Sequence, residues 1–175
     1  MSSCLARNGY VSLDELKATP GVPSLDRMQR GPVAVLECVQ EIPCNPCEAA
    51  CPRHAIHVGT PITNRPALDE KKCTGCALCV TQCPGLAIFV VDLSGSGKTA
   101  RVTLPYEYLP LPKVGDAVDV VDRSGEVVGT GSVLQVVTAR ASDRTAAVTV
   151  EVAREQGMNA RGIRMRGGDG NGAGR

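Results

Sequence analysis

Aromatic residues are nearly missing: the 175-residue chain has no Trp, one Phe and three Tyr. Any core must therefore be built from Val, Leu, Ile and Ala. Without an aromatic platform or a basic groove, base stacking and phosphate tracking have no foothold, which argues against a nucleic-acid binder. Excess charge is also missing, with 19 Lys and Arg against 18 Asp and Glu, so neither a polyanion nor a lipid surface is implied as partner. No apolar run approaches the roughly 20 residues that a membrane span needs. The first 30 residues carry acids and prolines where a secretory signal would be continuously apolar. The expected setting is a reducing cytoplasm.

Cysteine is what the chain has in abundance. There are nine, and in a reducing compartment clustered thiols read as metal ligands rather than as a disulfide framework. Eight fall in two groups: Cys38, Cys44, Cys47, Cys51, then Cys73, Cys76, Cys79, Cys83. The second group reads Cys-x2-Cys-x2-Cys-x3-Cys-Pro. The first follows the same rule over Cys44, Cys47, Cys51 and Pro52, with its leading cysteine displaced upstream to Cys38 in "CVQEIPC".

Sliding one half over the other by 32 residues matches Cys44 with Cys76, Cys47 with Cys79, Cys51 with Cys83 and Pro52 with Pro84. Ala55 and Ile56 likewise fall on Ala87 and Ile88, so the segment is an internal repeat. Three thiols within seven residues can wrap one face of a cubane. The fourth follows a helical turn that proline ends. Zinc is the competing reading, because Cys-x2-Cys pairs also make tetrahedral sites. Zinc pairs come two plus two across a long spacer, whereas here three cysteines crowd each loop. His54 and His57 are expected at the surface or behind the ligands, and Cys4, outside the repeat, as a bystander.

Short β-rich runs flank each motif: "VAVLE", "AIHVG", "PALDE" and "LAIFVV". The first is expected to pair with the last and the middle two with each other, with short helices over 45–50 and 77–82. The stretch "LSGSGKT" fails as a phosphate loop, because Asp92 stands where that motif needs glycine. It reads as a turn or a linker. From 101 to 153, Val-rich stretches separated by Gly, Asp and Ser predict four or five antiparallel strands in a small barrel or open sheet, with "DRSGE" as a hairpin turn. The fold class expected is α+β: an N-terminal arm over 1–32, a pseudo-twofold dicluster domain over 33–93, an all-β domain over 101–153, and a Gly/Arg-rich flexible tail over 158–175. In the arm, "SLDE" from Ser12 is a capping-box pattern, and a second turn is expected from Ser24.

The stretches "GPVAVLECVQEIPCNPCEAACPRHAI" and "DEKKCTGCALCVTQCPGLAI" resemble two-cluster bacterial ferredoxins, which hold [4Fe–4S] clusters. In that family each motif gives its last cysteine to the other cluster. The resemblance thus implies one cluster on Cys38, Cys44, Cys47 and Cys83, and a second on Cys73, Cys76, Cys79 and Cys51. More narrowly, the Cys-x5-Cys opening followed by "KVGDAVDVVDRSGEVVG" is similar to the small iron–sulfur subunits of flavin-dependent amino-acid and amine dehydrogenases, of sarcosine, proline, hydroxyproline and opine type. That resemblance implies a hetero-oligomer with FAD or FMN on partner subunits, and a further [2Fe–2S] component as a candidate. With every ligand a thiolate, no iron is left open to substrate, so the chain is expected to relay single electrons and not to catalyse alone. A freely diffusing ferredoxin and an iron–sulfur redox sensor are the alternatives.

Overall fold

The structure, a computed structural model, describes residues 4–95, 97–138 and 144–166. It is mixed α/β, with short helices around one large antiparallel sheet. Three helical turns open the chain: α1 (Cys4–Asn8), α2 (Leu13–Lys17) and α3 (Leu25–Met28). The capping box forms as its sequence predicts, Glu15 N–H donating to Ser12 Oγ while Ser12 N–H donates to Glu15 Oε2 at 3.0 Å. Ser24 caps α3. This arm lies along the fold: Leu36 N–H donates to the Gly21 carbonyl, Leu68 N–H to that of Pro20, and Leu16 is fully buried.

Next come β1 (Val33–Leu36), α4 (Pro46–Ala49), β2 (Ile56–His57), β3 (Ala67–Leu68), α5 (Leu78–Gln82) and β4 (Ile88–Asp92). As the flanking runs predict, β1 pairs antiparallel with β4, and β2 with β3. The rest is β5 (Thr99–Tyr106), β6 (Ala117–Val121), β7 (Val127–Val137), β8 (Ala146–Ala153), a 3-10 turn over Arg154–Gln156, and β9 (Gly162–Met165). Asp122 to Glu126 close the β6–β7 hairpin, with Gly125 at φ +84°.

The strand pairing bears on two of the expected divisions. The division between 93 and 101 falls inside a hairpin, because β4 pairs with β5 and the seven strands run β1-β4-β5-β8-β7-β6-β9 without a break. The stretch 94–98 is thus a strand-to-strand connection, of which Ser96 lies outside the described residues. The stretch expected as a tail from 158 is structured through β9: Ala160 is fully buried and β9 pairs with β6 from Gly162 to Met165. The rest of that tail, 167–175, lies outside the described residues.

The hydrophobic pattern of β1 and β4 explains the continuity. Val33, Val35, Phe89 and Val91 face one core, shared with Val102, Leu104, Val118, Val148 and Ile163. Their neighbours Ala34, Leu36, Ile88 and Val90 face the other, with Ile56, Val80, Cys47 and Cys79. A strand pair covered on both faces reads as an unbroken apolar run rather than an alternation, and "VAVL" and "IFVV" are such runs. Bulges between Val120 and Val121 and between Val133 and Gln135 add twist. The sheet curls until the residue after β1, Glu37, meets Arg161 just before β9. No β1–β9 pairing closes it among the described residues.

Candidate metal centre

The 32-residue repeat is legible in individual hydrogen bonds. After Cys51, His54 N–H donates to the Cys51 carbonyl at 3.1 Å and Ala55 N–H to its Sγ at 3.3 Å. After Cys83, Leu86 N–H and Ala87 N–H do the same at 3.1 and 3.4 Å. His54 and Leu86 sit at φ +47° and +50°, so both Cys-Pro turns share one backbone shape. A third N–H···S bond runs from Ala34 in β1 to Cys73 at 3.4 Å. Such bonds favour sulfur in its charged, metal-binding form.

The loop carrying Cys73 and Cys76 is held tightly. Gly75 has φ +68°, and a Cβ there would stand 2.6 Å from the Pro32 carbonyl carbon. Only glycine suits both demands. Arg27 clamps the loop from the arm: its guanidinium donates to the carbonyls of Cys73 at 2.7 Å, Glu70 at 2.9 Å, Gly31 at 3.0 Å and Pro32 at 3.1 Å. Short helices α4 and α5 then bury Cys47 and Cys79, while Cys76 stays exposed.

Thiols of the two motifs lie close to one another. Burial pushes Cys47 up to about 11, with Cys83, Cys44 and Cys38 adding to it, and burial followed by Cys83 and Cys44 also raises Cys38. Burial pushes Cys79 up to about 12, and Cys73, Cys76, Cys51 and, last, Cys47 press in the same direction. Cys51, Cys73, Cys76 and Cys79 line one cavity, whose other walls include Ala34, Ile56 and Val90. Cys38, Cys44 and Cys83 line a second, larger one. Thiols this crowded ionise only against a concentrated positive charge. Among the described residues no three Cys, His, Asp or Glu side chains stand where they would hold a single metal ion; what the cysteines share is the lining of these two cavities. That donor chemistry fits a multi-iron cluster, which supplies one-electron redox chemistry when bound.

His54 and His57 are exposed, and His57 Nδ1 stands 3.9 Å from Glu48 Oε1. Cys4 lies in α1, its Sγ accepting from Asn8 at 3.3 Å.

Sequence reading misses a buried ion-pair cluster beside Cys38. Glu37 accepts from Arg123 Nε at 2.8 Å and from Arg161 Nε at 2.5 Å, and the Arg161 guanidinium lies 4.6 Å from the Phe89 ring centroid. Burial lowers Arg161 to about 10, against the opposing pull of Glu37, so it remains a cation at neutral pH. The missed signal was Arg161 itself, placed in a segment whose glycines and arginines suggested a solvated tail.

Residues 66–89 match the family of 4Fe-4S binding domains. The match contains Cys73, Cys76, Cys79 and Cys83, so a 4Fe–4S binding domain is present over that segment, which supports an iron–sulfur, ferredoxin-like protein. Among curated proteins the chain is similar to Protein Pixie of Drosophila melanogaster, 24% identical over 106 residues, which is 54% of this chain. The chain spans 17% of that relative's length. No solved structure matches it. Among the described residues no helix is long and apolar enough to cross a membrane.

Proposed function

We propose that this chain is an electron-transfer subunit holding two [4Fe–4S] clusters, one on Cys38, Cys44, Cys47 and Cys83, the other on Cys73, Cys76, Cys79 and Cys51. The observation that carries the reading is that the last thiol of each motif lies with the other motif's cysteines: Cys51 lines one cavity with Cys73, Cys76 and Cys79, and Cys83 lines another with Cys38 and Cys44. The 4Fe-4S match over 66–89 supports the iron–sulfur chemistry. All eight thiols are then ligands, and the chain's own residues do the remaining work: N–H groups of Ala34, Ala55 and Ala87 stabilise sulfur charge, Arg27 fixes one ligand loop, and apolar walls limit water.

The electron source in this reading is a flavoprotein dehydrogenase acting on an amino acid or amine, with this chain as its resident iron–sulfur subunit. The sequence likeness of the first motif and the Val-rich segment supports it, as does the sheet fused to the cluster-binding half. Anaerobic protein should contain about eight irons and eight acid-labile sulfides per chain. Colourless, zinc-bearing protein would end the reading. Purification from the native host should bring down a flavoprotein in fixed ratio, and isolation as a stable monomer would remove the subunit assignment.

A further inference from the structure

Glu37, Arg123 and Arg161 make an unusual grouping for so small a fold. Their side chains are 8%, 10% and 4% exposed, and one carboxylate between two guanidiniums leaves a positive charge in excess. The other contacts of Arg161 are the Phe89 ring, the Ala160 carbonyl and the Met158 sulfur, none of them anionic. Asp122 is the remaining acid on the same cavity, and its carboxylate is held in the hairpin turn by Ser124 and the N–H of Glu126. A buried charge without a partner is costly. What the triad does face is the cavity lined by Cys38, Cys44 and Cys83.

We propose that this triad is the counter-charge of the cluster on Cys38, Cys44, Cys47 and Cys83, and that its net positive charge raises that cluster's reduction potential while leaving the other's unchanged. The inference rests on the two-cluster reading above. Taking up an electron makes a site more negative, so a nearby buried cation favours the reduced form. The second site has a different cation, Arg27, which is half-buried and committed to four backbone carbonyls. The two sites are therefore tuned by separate arginines.

The test is an EPR-monitored redox titration of the full chain and of Arg123→Gln, Glu37→Gln and Arg123→Lys, with the two signals assigned through Cys38→Ser. Removing one charge across roughly 10 Å of protein changes the reduction equilibrium on the order of tenfold, or about 59 mV for one electron. Arg123→Gln should lower the potential of the Cys38 cluster by about that amount, Glu37→Gln should raise it, and Arg123→Lys should restore it. The other signal should not move. Gln variants that shift the potential in the same direction, or both signals moving equally, or no shift, would overturn the inference. If Arg123→Gln does not fold, Glu37→Gln decides alone: a rise supports the proposal and a fall or no change defeats it. A parent protein with four irons or fewer would instead refute the two-cluster reading, a result separable by iron and sulfide analysis before any titration.

Discussion

Gly75→Ala is the sharpest test of how the ligand loop is held. The residue lies between Cys73 and Cys76 at φ +68°, and a Cβ there would stand 2.6 Å from the carbonyl carbon, Cβ and oxygen of Pro32. The left-handed backbone costs a residue with a Cβ about 1–2 kcal/mol. The contact is with backbone, which has no flexible end to yield, so overpacking adds about 1–3 kcal/mol. Together these approach a third of a typical stability of about 5–15 kcal/mol. The damage has a direction as well as a size. Displacing Pro32 moves an acceptor of Arg27 and the start of β1, whose Ala34 N–H reaches Cys73 Sγ. On the proposed two-cluster reading, the site of Cys73 should therefore lose iron first, leaving about half the iron of two four-iron clusters. Ala77→Gly is the mirror control: Ala77 already sits at φ +63°, and glycine there should gain about 1 kcal/mol. Anaerobic denaturant unfolding followed by circular dichroism, with iron analysis, reads both. Full iron and unchanged stability in Gly75→Ala, or equal losses in the two variants, would refute the reasoning.

On the proposed ligand assignment, Cys38→Ser should first disturb a cluster shared with Cys44, Cys47 and Cys83, seen as a [3Fe–4S] signal or iron loss, while Cys4→Ser should leave iron and spectrum unchanged. Truncation after Arg166 should be silent. Truncation after Gly157 removes buried Ala160, Arg161 and Ile163 and should cost on the order of 3 kcal/mol or more, measured as a fall in the unfolding midpoint. In the metal-free chain, Cys47 and Cys79 are raised from 9.0 to about 11 and about 12. Because the folded values lie above the unfolded ones, the folded state holds its protons longer, and this stabilisation is present below pH 9 and lost as pH rises towards 12. Stability of the apo-chain should therefore fall across that window, and a cluster-loaded sample, its thiols already deprotonated on iron, should not show the same fall.

The elements legible in the sequence are those fixed by short-range rules. Cysteine spacing, the Ser12 capping box and the "DRSGE" hairpin each declare themselves within a dozen residues, and the repeat within one 32-residue offset. The pairing of β1 with β4 followed from the repeat's symmetry. What escaped depends on distant partners. Glu37 meets Arg161 across 124 positions and Arg27 meets Cys73 across 46, and neither pairing leaves a local trace. Strand β9 looked like a tail because its glycines and arginines suit solvent, yet its backbone is ordered by a ladder with Val118 to Val121. "VAVL" and "IFVV" are unbroken apolar runs, and in the structure each is covered on both faces.

That two-faced wall bears directly on how the chain can work. Separating the halves would expose Val33, Val35, Phe89 and Val91, all now buried. At about 1.5–3 kcal/mol for each side chain, separation costs roughly 6–12 kcal/mol, comparable with the whole stability of a domain. The Glu37 bridge to Arg161 would break at the same moment. Thermal motion does not populate such a state usefully, so a swinging carrier arm is not open to this chain. If the chain relays electrons as proposed, a partner must receive them at its surface, and the exposed Cys76 is the one of the proposed ligands that such a partner could approach most closely.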